Sequence, residues 1–240
     1  MYLAQQTFFP GFIGIFTNIS YIDRKYIYKA VKKHADRMTG KLLDYGCGSK
    51  PYQSLFKNVS QYIGVDLLYN EGHSHENENI DVFYDGKRLP FDENEFNAVF
   101  TSQVLEHVPN INNSLSEINR VLKPGGLLLL VMPFVFPEHE IPNDFRRLTI
   151  YGIKQVLKEC DFEIIEAEKL GTFPETLAQL IVLFIGSKTH IRRRGWRWVN
   201  TIVQTIFLSP FFIAGMIGGF IFRKHNRLYL DICVLAKKGV

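Results

Sequence analysis

The stretch LLDYGCGSKPY, residues 42–52, decides the fold. An apolar pair runs into Asp44, and Gly46 and Gly48 then stand on either side of Cys47. A strand ending in such a turn brings backbone N–H groups against a ligand at the carboxyl edge of a sheet. The dinucleotide pattern G-x-G-x-x-G fails, because Pro51 holds the third glycine position. Asp44 also disfavours a pyrophosphate, since like charges repel in a site of lowered dielectric. A ligand with a cationic end is favoured instead.

On the N-terminal side of the turn, Ile27, Val31 and Ala35 recur at helical spacing over residues 23–38, with Gly40 as a stop. Residues 41–45 read as a strand. On the C-terminal side, residues 51–57 read as a helix with Pro51 in its first turn. Strands follow at 61–66, 80–84 and 96–101, the first two separated by a polar loop at 70–79. Residues 112–122 read as a helix closed by KPGG (123–126), and the solid apolar run 127–132 as a strand covered on both faces. A helix at 149–158 and strands at 162–170 and 228–236 complete the pattern. This alternation predicts an α/β fold with a parallel sheet and right-handed crossovers.

The three cysteines, Cys47, Cys160 and Cys233, lie far apart without CxxC spacing, so neither a disulfide framework nor a zinc ribbon is indicated. A reducing cytoplasm is the expected compartment. The N-terminus is apolar but lacks a basic leader, and does not read as a signal peptide. The net charge of +4 conceals an asymmetry: residues 188–227 hold eight Lys or Arg and no Asp or Glu, which leaves −4 on the remainder. A basic block on an acidic body points to an anionic partner, a membrane surface before nucleic acid.

The chain resembles the class I S-adenosylmethionine-dependent methyltransferases. The segments LLDYGCGSKPY (42–52), YIGVDLL (62–68), DGKRLPF (85–91), FNAVFTSQVLEHVPN (96–110) and INRVLKPGGLLLLVMPF (118–134) carry the resemblance, in the family's order and spacing. It implies a Rossmann-like seven-stranded sheet, mostly parallel with the last strand antiparallel, and S-adenosylmethionine as cofactor. It further implies that Gly46, Cys47 and Gly48 line the methionine part, with Asp44 near its ammonium. Asp66, beside Leu67, would accept hydrogen bonds from the ribose hydroxyls. Asp85 and Gly86 would lie at the adenine, and Ser102 and Gln103 at the sulfur end. Many members have a third glycine where this chain has Lys50, so a negative φ is expected there.

Methyl transfer from a sulfonium is an in-line displacement with a neutral leaving group, so alignment and proximity supply much of the rate. An alcohol acceptor needs a general base. Candidates cluster in PFVFPEHEIPNDFRRLT (133–149), which follows the fifth strand and so lies at the same sheet edge. His139 is the expected base, oriented by a carboxylate such as Asp144, with Arg146 as an anchor for the acceptor. His107, in LEHVPN, is its rival. His73 and His75 read as solvated, and no metal is expected.

The run WVNTIVQTIFLSPFFIAGMIGGFIF (198–222) has 25 residues without Asp, Glu, Lys or Arg. Strands on both sides of it place its two ends on one side of any membrane, which excludes a single crossing. Two halves of about 12 residues reach roughly 18 Å each, short of a core of about 30 Å. A basic-flanked helical hairpin lying on or dipping into one leaflet is expected, with Trp196 and Trp198 at the interface. The expected organisation is a cap over 1–40, a core over 41–170 with 228–240, and a helical insertion over 171–227.

The acceptor expected is a hydroxyl on a glycan precursor, a lipid-linked sugar or an isoprenoid-type lipid at the cytoplasmic membrane face. GSKPY and EHEIPNDFRRLT also resemble small methyltransferases of bacterial surface-polysaccharide biosynthesis. Two other readings stay open: a soluble small-molecule methyltransferase with the insertion as lid or dimer interface, and a non-catalytic membrane-docked scaffold. Nucleic acid is not an expected partner, and oligomeric state is not legible.

Overall fold

A computed structural model describes residues 8–68, 79–189, 204–224 and 226–239. His73, His75, Trp196, Trp198 and Arg192–Arg194 lie outside the described residues. The chain divides into two compact units, Met1–Lys29 with Lys169–Asp231, and Ala30–Glu168 with Ile232–Val240.

One seven-stranded sheet organises the fold: β1 (Gly40–Tyr45), β2 (Val59–Leu67), β3 (Val82–Tyr84), β4 (Phe96–Ser102), β5 (Leu122–Pro133), β6 (Phe162–Leu170) and β7 (Asp231–Lys238). Its order is β3-β2-β1-β4-β5-β7-β6, and the first five strands pair in parallel. Leu230 N–H donates to Leu170 O and Gly239 N–H to Asp161 O, so β7 runs antiparallel to β6. The order reverses between β1 and β4, where the open carboxyl edge of such sheets binds ligands.

Sequence explains the elements. Leu128 to Met132 are at most 1 % exposed, as a strand covered on both faces requires. Truncating one such leucine to alanine costs about 2–5 kcal/mol. Helix α1 (Tyr21–Ala35) precedes β1. In α2 (Ile111–Val121) the buried residues Ile111, Leu115 and Ile118 recur at helical spacing, and the Asn110 side chain caps Asn113 N–H at 3.1 Å. Helix α3 (Ile150–Glu159) buries Ile150, Ile153 and Leu157 behind a Thr149 cap.

Three local expectations need correction. Residues 51–57 form only a 3-10 turn, Gln53–Leu55, because Tyr52 and Phe56 turn into the core against Phe100 at ring separations of 6.1 and 5.0 Å. The KPGG segment lies inside β5 as a bulge: Phe96 pairs with Leu122 and Ala98 with Leu127. The last strand begins at Asp231, three residues later than its apolar pattern.

In the other unit, α4 (Phe173–Thr189) and α5 (Ser209–Ile221) are helical, and Pro210 sits in the first turn of α5. Ile15, Tyr21, Ile22, Val182, Leu208 and Phe212 share one apolar cluster. Buried Gln179 bridges it to the N-terminal segment, accepting from Ile22 N–H at 3.1 Å and donating to Ile19 O at 2.8 Å. No helix among the described residues is long and apolar enough to cross a membrane.

Candidate active site

The chain leaves β1 through Gly46, at φ +71°, where a Cβ would stand 2.3 Å from Val104 Cγ2. Only glycine allows this approach of β1 to the segment after β4. Gly46 and Cys47 N–H donate to Val65 O at 2.9 and 3.2 Å, which ties the turn to β2. Gly48 N–H then donates to Asp66 Oδ2 and Leu67 N–H to Asp66 Oδ1, both at 2.8 Å. The carboxylate is thus fixed at the end of β2, with acceptor capacity left on each oxygen.

Lys50 departs from expectation. Its φ is +52°, the left-handed conformation a glycine would take, and the side chain is buried. The ammonium donates to Asp81 Oδ2 at 2.5 Å, and the same oxygen accepts Gly64 N–H at 2.7 Å. A Cβ at Gly64 would meet Lys50 Cε at 2.3 Å and Cys47 Sγ at 2.6 Å, so Gly64 makes room for both side chains. This ion pair holds a backbone conformation that costs a non-glycine residue about 1–2 kcal/mol.

Asp44 is 3 % exposed and accepts a hydrogen bond from Tyr62 OH at 2.6 Å. Burial pushes its pKa up to about 7, and Asp66 nearby adds to the rise. A cation beside it would restore the ionised form. Cys47 is buried, and burial pushes its thiol up, away from nucleophilic use. Asp85 is exposed and accepts from Lys87 N–H at 3.0 Å, while a Cβ at Gly86 would lie 3.1 Å from Leu67 Cδ2. The turn after β3 therefore borders the Asp66–Leu67 turn. Ser102 ends β4 and Gln103 follows it at φ +59°, its N–H donating to Val131 O at 2.9 Å.

The loops after β4 and β5 converge on a second polar group. His107 Nε2 and His139 Nε2 are 3.1 Å apart, with rings near perpendicular. Arg147 grips Asp144 with both terminal nitrogens, at 2.5 and 2.7 Å, and this holds the carboxyl down at about 2. Asp144 Oδ2 accepts His139 N–H at 3.1 Å and lies 3.4 Å from His139 Nδ1. The two side chains paired in the sequence reading thus lie side by side. Burial lowers the His139 pKa, which keeps the imidazole neutral.

Arg146 is placed differently from its expected role as acceptor anchor. Nη1 donates to Leu105 O at 2.9 Å and to Val108 O, and Nη2 to Pro109 O at 2.8 Å. The guanidinium pins the loop that carries His107. Sequence reasoning missed Glu106, which is fully buried with neither carboxylate oxygen hydrogen-bonded among the described residues. Its Oε1 lies 3.7 Å from His107 Nε2 and 4.0 Å from His139 Nε2. Burial pushes its pKa up to about 8. The acid in LEHVPN was visible, but nothing in the sequence marked it as buried.

Residues 43–130 match the family described as "Methyltransferase domain". The demethylmenaquinone methyltransferase of Staphylococcus saprophyticus is 36% identical over 122 residues, 46% of this chain and 52% of that protein. A sterol 24-C-methyltransferase of Gibberella zeae is 29% identical over 157 residues, 55% of this chain and 41% of that one. The chain thus spans about half or less of these curated relatives. Among solved structures, the [4+2]-cyclase SpnF superposes with a TM-score of 0.56 at 20% identity, covering 92% of this chain and 84% of that one. Phosphoethanolamine N-methyltransferase 2 of Haemonchus contortus, solved with S-adenosyl-L-methionine, gives 0.53 at 19% identity, covering 95% of this chain and 56% of that one. These likenesses show the seven-stranded methyltransferase fold. S-adenosylmethionine is the cofactor of this domain, and the residues present fit it: a buried carboxyl for a cationic end and a fixed carboxylate with free lone pairs for hydroxyls.

Proposed function

We propose that this chain, which carries a class I S-adenosylmethionine-dependent methyltransferase domain, methylates a hydroxyl on an acceptor with a large apolar part, of the isoprenoid or lipid-linked kind. The cofactor supplies a methyl group on a sulfonium. Asp44, Gly46 and Gly48 hold its methionine end, Asp66 its ribose, and the Asp85–Gly86 turn borders its base. His139, oriented by Asp144, takes the acceptor proton at Nε2, and His107 and Glu106 stand beside that atom. Proton transfer of this kind contributes about 10²–10⁴ in rate. Arg146 keeps the His107 loop in place.

The observation that carries this reading is the pairing of a proton-accepting cluster with apolar neighbours. Phe136 packs edge-on to His139 at 5.4 Å, and Ile141 and Phe145 on the same loop are 71 % and 46 % exposed. An apolar acceptor would cover them, worth about 25 cal/mol per Å² removed from water. Two curated relatives are named for methylating demethylmenaquinone and a sterol, which supports an apolar acceptor class. On α5, Ile213, Ile217, Phe220 and Ile221 are exposed beside Arg223 and Lys224, and this supports peripheral contact of residues 171–227 with an anionic membrane surface.

Labelled methyl transfer from S-adenosylmethionine to lipid extracts and to aqueous glycan extracts of the source cell tests the proposal. Label in an alkali-stable ether of the lipid fraction is expected. Label on carbon, or in the aqueous fraction alone, refutes the acceptor assignment, and absence of S-adenosylhomocysteine binding by calorimetry refutes the enzyme.

A further inference from the structure

We infer that Glu106, His107 and His139 form a binding site for one divalent transition-metal ion, zinc foremost. Three donor atoms define it. His107 Nε2 and His139 Nε2 are 3.1 Å apart, and Glu106 Oε1 is 3.7 Å from the first and 4.0 Å from the second. A triangle with these sides has a circumradius of about 2.1 Å, which is the length of Zn–N and Zn–O bonds. An ion at its centre reaches all three atoms without moving a side chain.

Hydrogen bonding fixes the direction of the lone pairs. His107 Nδ1 lies 2.8 Å from Asn143 O, a group that only accepts, so Nδ1 carries the proton and Nε2 the lone pair. His139 Nδ1 lies 3.2 Å from Pro137 O and 3.4 Å from Asp144 Oδ2; these two acceptors outweigh Arg147 Nη2 at 3.5 Å. Two neutral imidazoles therefore aim lone pairs at each other at 3.1 Å, which is repulsive unless a cation stands between them. The buried carboxylate oxygens of Glu106, without hydrogen-bond partners among the described residues, face the same point. Carbonyl and carboxylate partners on the remote ring nitrogens are the usual outer support of metal-binding histidines.

Two imidazoles and one carboxylate suit zinc, manganese or iron, whereas calcium and magnesium demand oxygen ligands. The His107 and His139 side chains are 14 % and 29 % exposed, so an ion has a path in and room for an oxygen ligand from water or acceptor. Glu140 Oε2, 3.9 Å from His107 Nε2, stands at the rim. The ion would take the His139 Nε2 lone pair that the methyl-transfer reading gives to the acceptor proton, so proton transfer belongs to the ion-free protein; the site itself does not rest on that reading, because occupancy is measured on the protein alone.

The test is titration of chelator-stripped full-length protein with Zn²⁺ by calorimetry, with the visible absorption of added Co²⁺ as a second readout. One equivalent is expected. Binding should be lost in H107A/H139A and in the near-isosteric E106Q, and weakened about 10–100-fold in D144N. The H73A/H75A variant should bind like the parent, and circular dichroism checks that each variant folds. Absence of stoichiometric binding by the parent protein, which leaves a shared proton between the imidazoles, overturns the site. So does unchanged affinity in folded E106Q and D144N.

Discussion

Along the β1–β2 edge, main-chain amides hold the functional groups: Gly48 and Leu67 N–H clamp Asp66, and Val65 O anchors the turn. In the loops after β4 and β5, side chains hold one another: Arg147 grips Asp144, Asp144 faces His139, and Arg146 ties down the main chain at 105–109. The first arrangement follows from where strands end, so it is rigid and tolerant of sequence change nearby. The second depends on a chain of specific contacts, so one substitution propagates. Cofactor affinity should therefore be governed by the first region and turnover by the second.

The largest effect that separates the two regions is expected for His139→Ala: turnover falls about 10²–10⁴-fold, while calorimetric affinity for S-adenosylhomocysteine stays within about twofold of the parent. A parallel loss of affinity would merge the two regions into one. Asp66→Ala should do the converse and weaken S-adenosylhomocysteine about 10–100-fold through lost charge-assisted hydrogen bonds. Retention of parental affinity would remove Asp66 from the cofactor site.

A smaller effect sharpens the cofactor side through pH. Asp44 rises from 3.8 to about 7 in the folded protein. A raised carboxyl contributes stability at low pH that is lost as pH climbs through about 7. The ligand-free protein should lose this stability progressively between about pH 4 and pH 7, with the contribution flat above that, and Asp44→Asn should abolish the loss. Affinity for S-adenosylhomocysteine, which keeps its ammonium, should weaken by about tenfold per unit below pH 7. A flat profile in the parent protein would show that Asp44 does not meet the cation. The smallest effect concerns Lys50: Lys50→Ala should unfold at lower urea than Lys50→Gly by about 1 kcal/mol, because only glycine relieves the left-handed backbone. Both variants lack the Asp81 pair, so equal midpoints would show that the left-handed backbone at this position carries no measurable cost.

The legibility of the sequence follows the same division. Leu42–Tyr45, Val65–Asp66 and Leu128–Met132 announced their strands because apolar runs and acidic strand ends reflect local physics, and the candidate cofactor residues Asp44 and Asp66 lie in the first two of them. Lys50 was misread because its conformation is imposed by Asp81, 31 residues away. The expected helix after Pro51 gave way to aromatic packing on Phe100, a tertiary contact no local pattern reports. Histidines 107 and 139 were each visible as candidates, but their meeting required a loop closed by Arg146 onto carbonyls 37 to 41 residues away. Glu106 shows most clearly what a sequence withholds, since a glutamate letter carries no sign of its surroundings.

The pairing of Leu230 with Leu170 gives the fold a seam. Fifty-nine residues of chain depart and return at this pairing, so changes in their length need not alter the register of the strands that flank them. Such an arrangement behaves as an exchangeable cartridge: what it touches can be refitted over evolutionary time, or by an engineer, while the methyl-donor machinery is left as it stands.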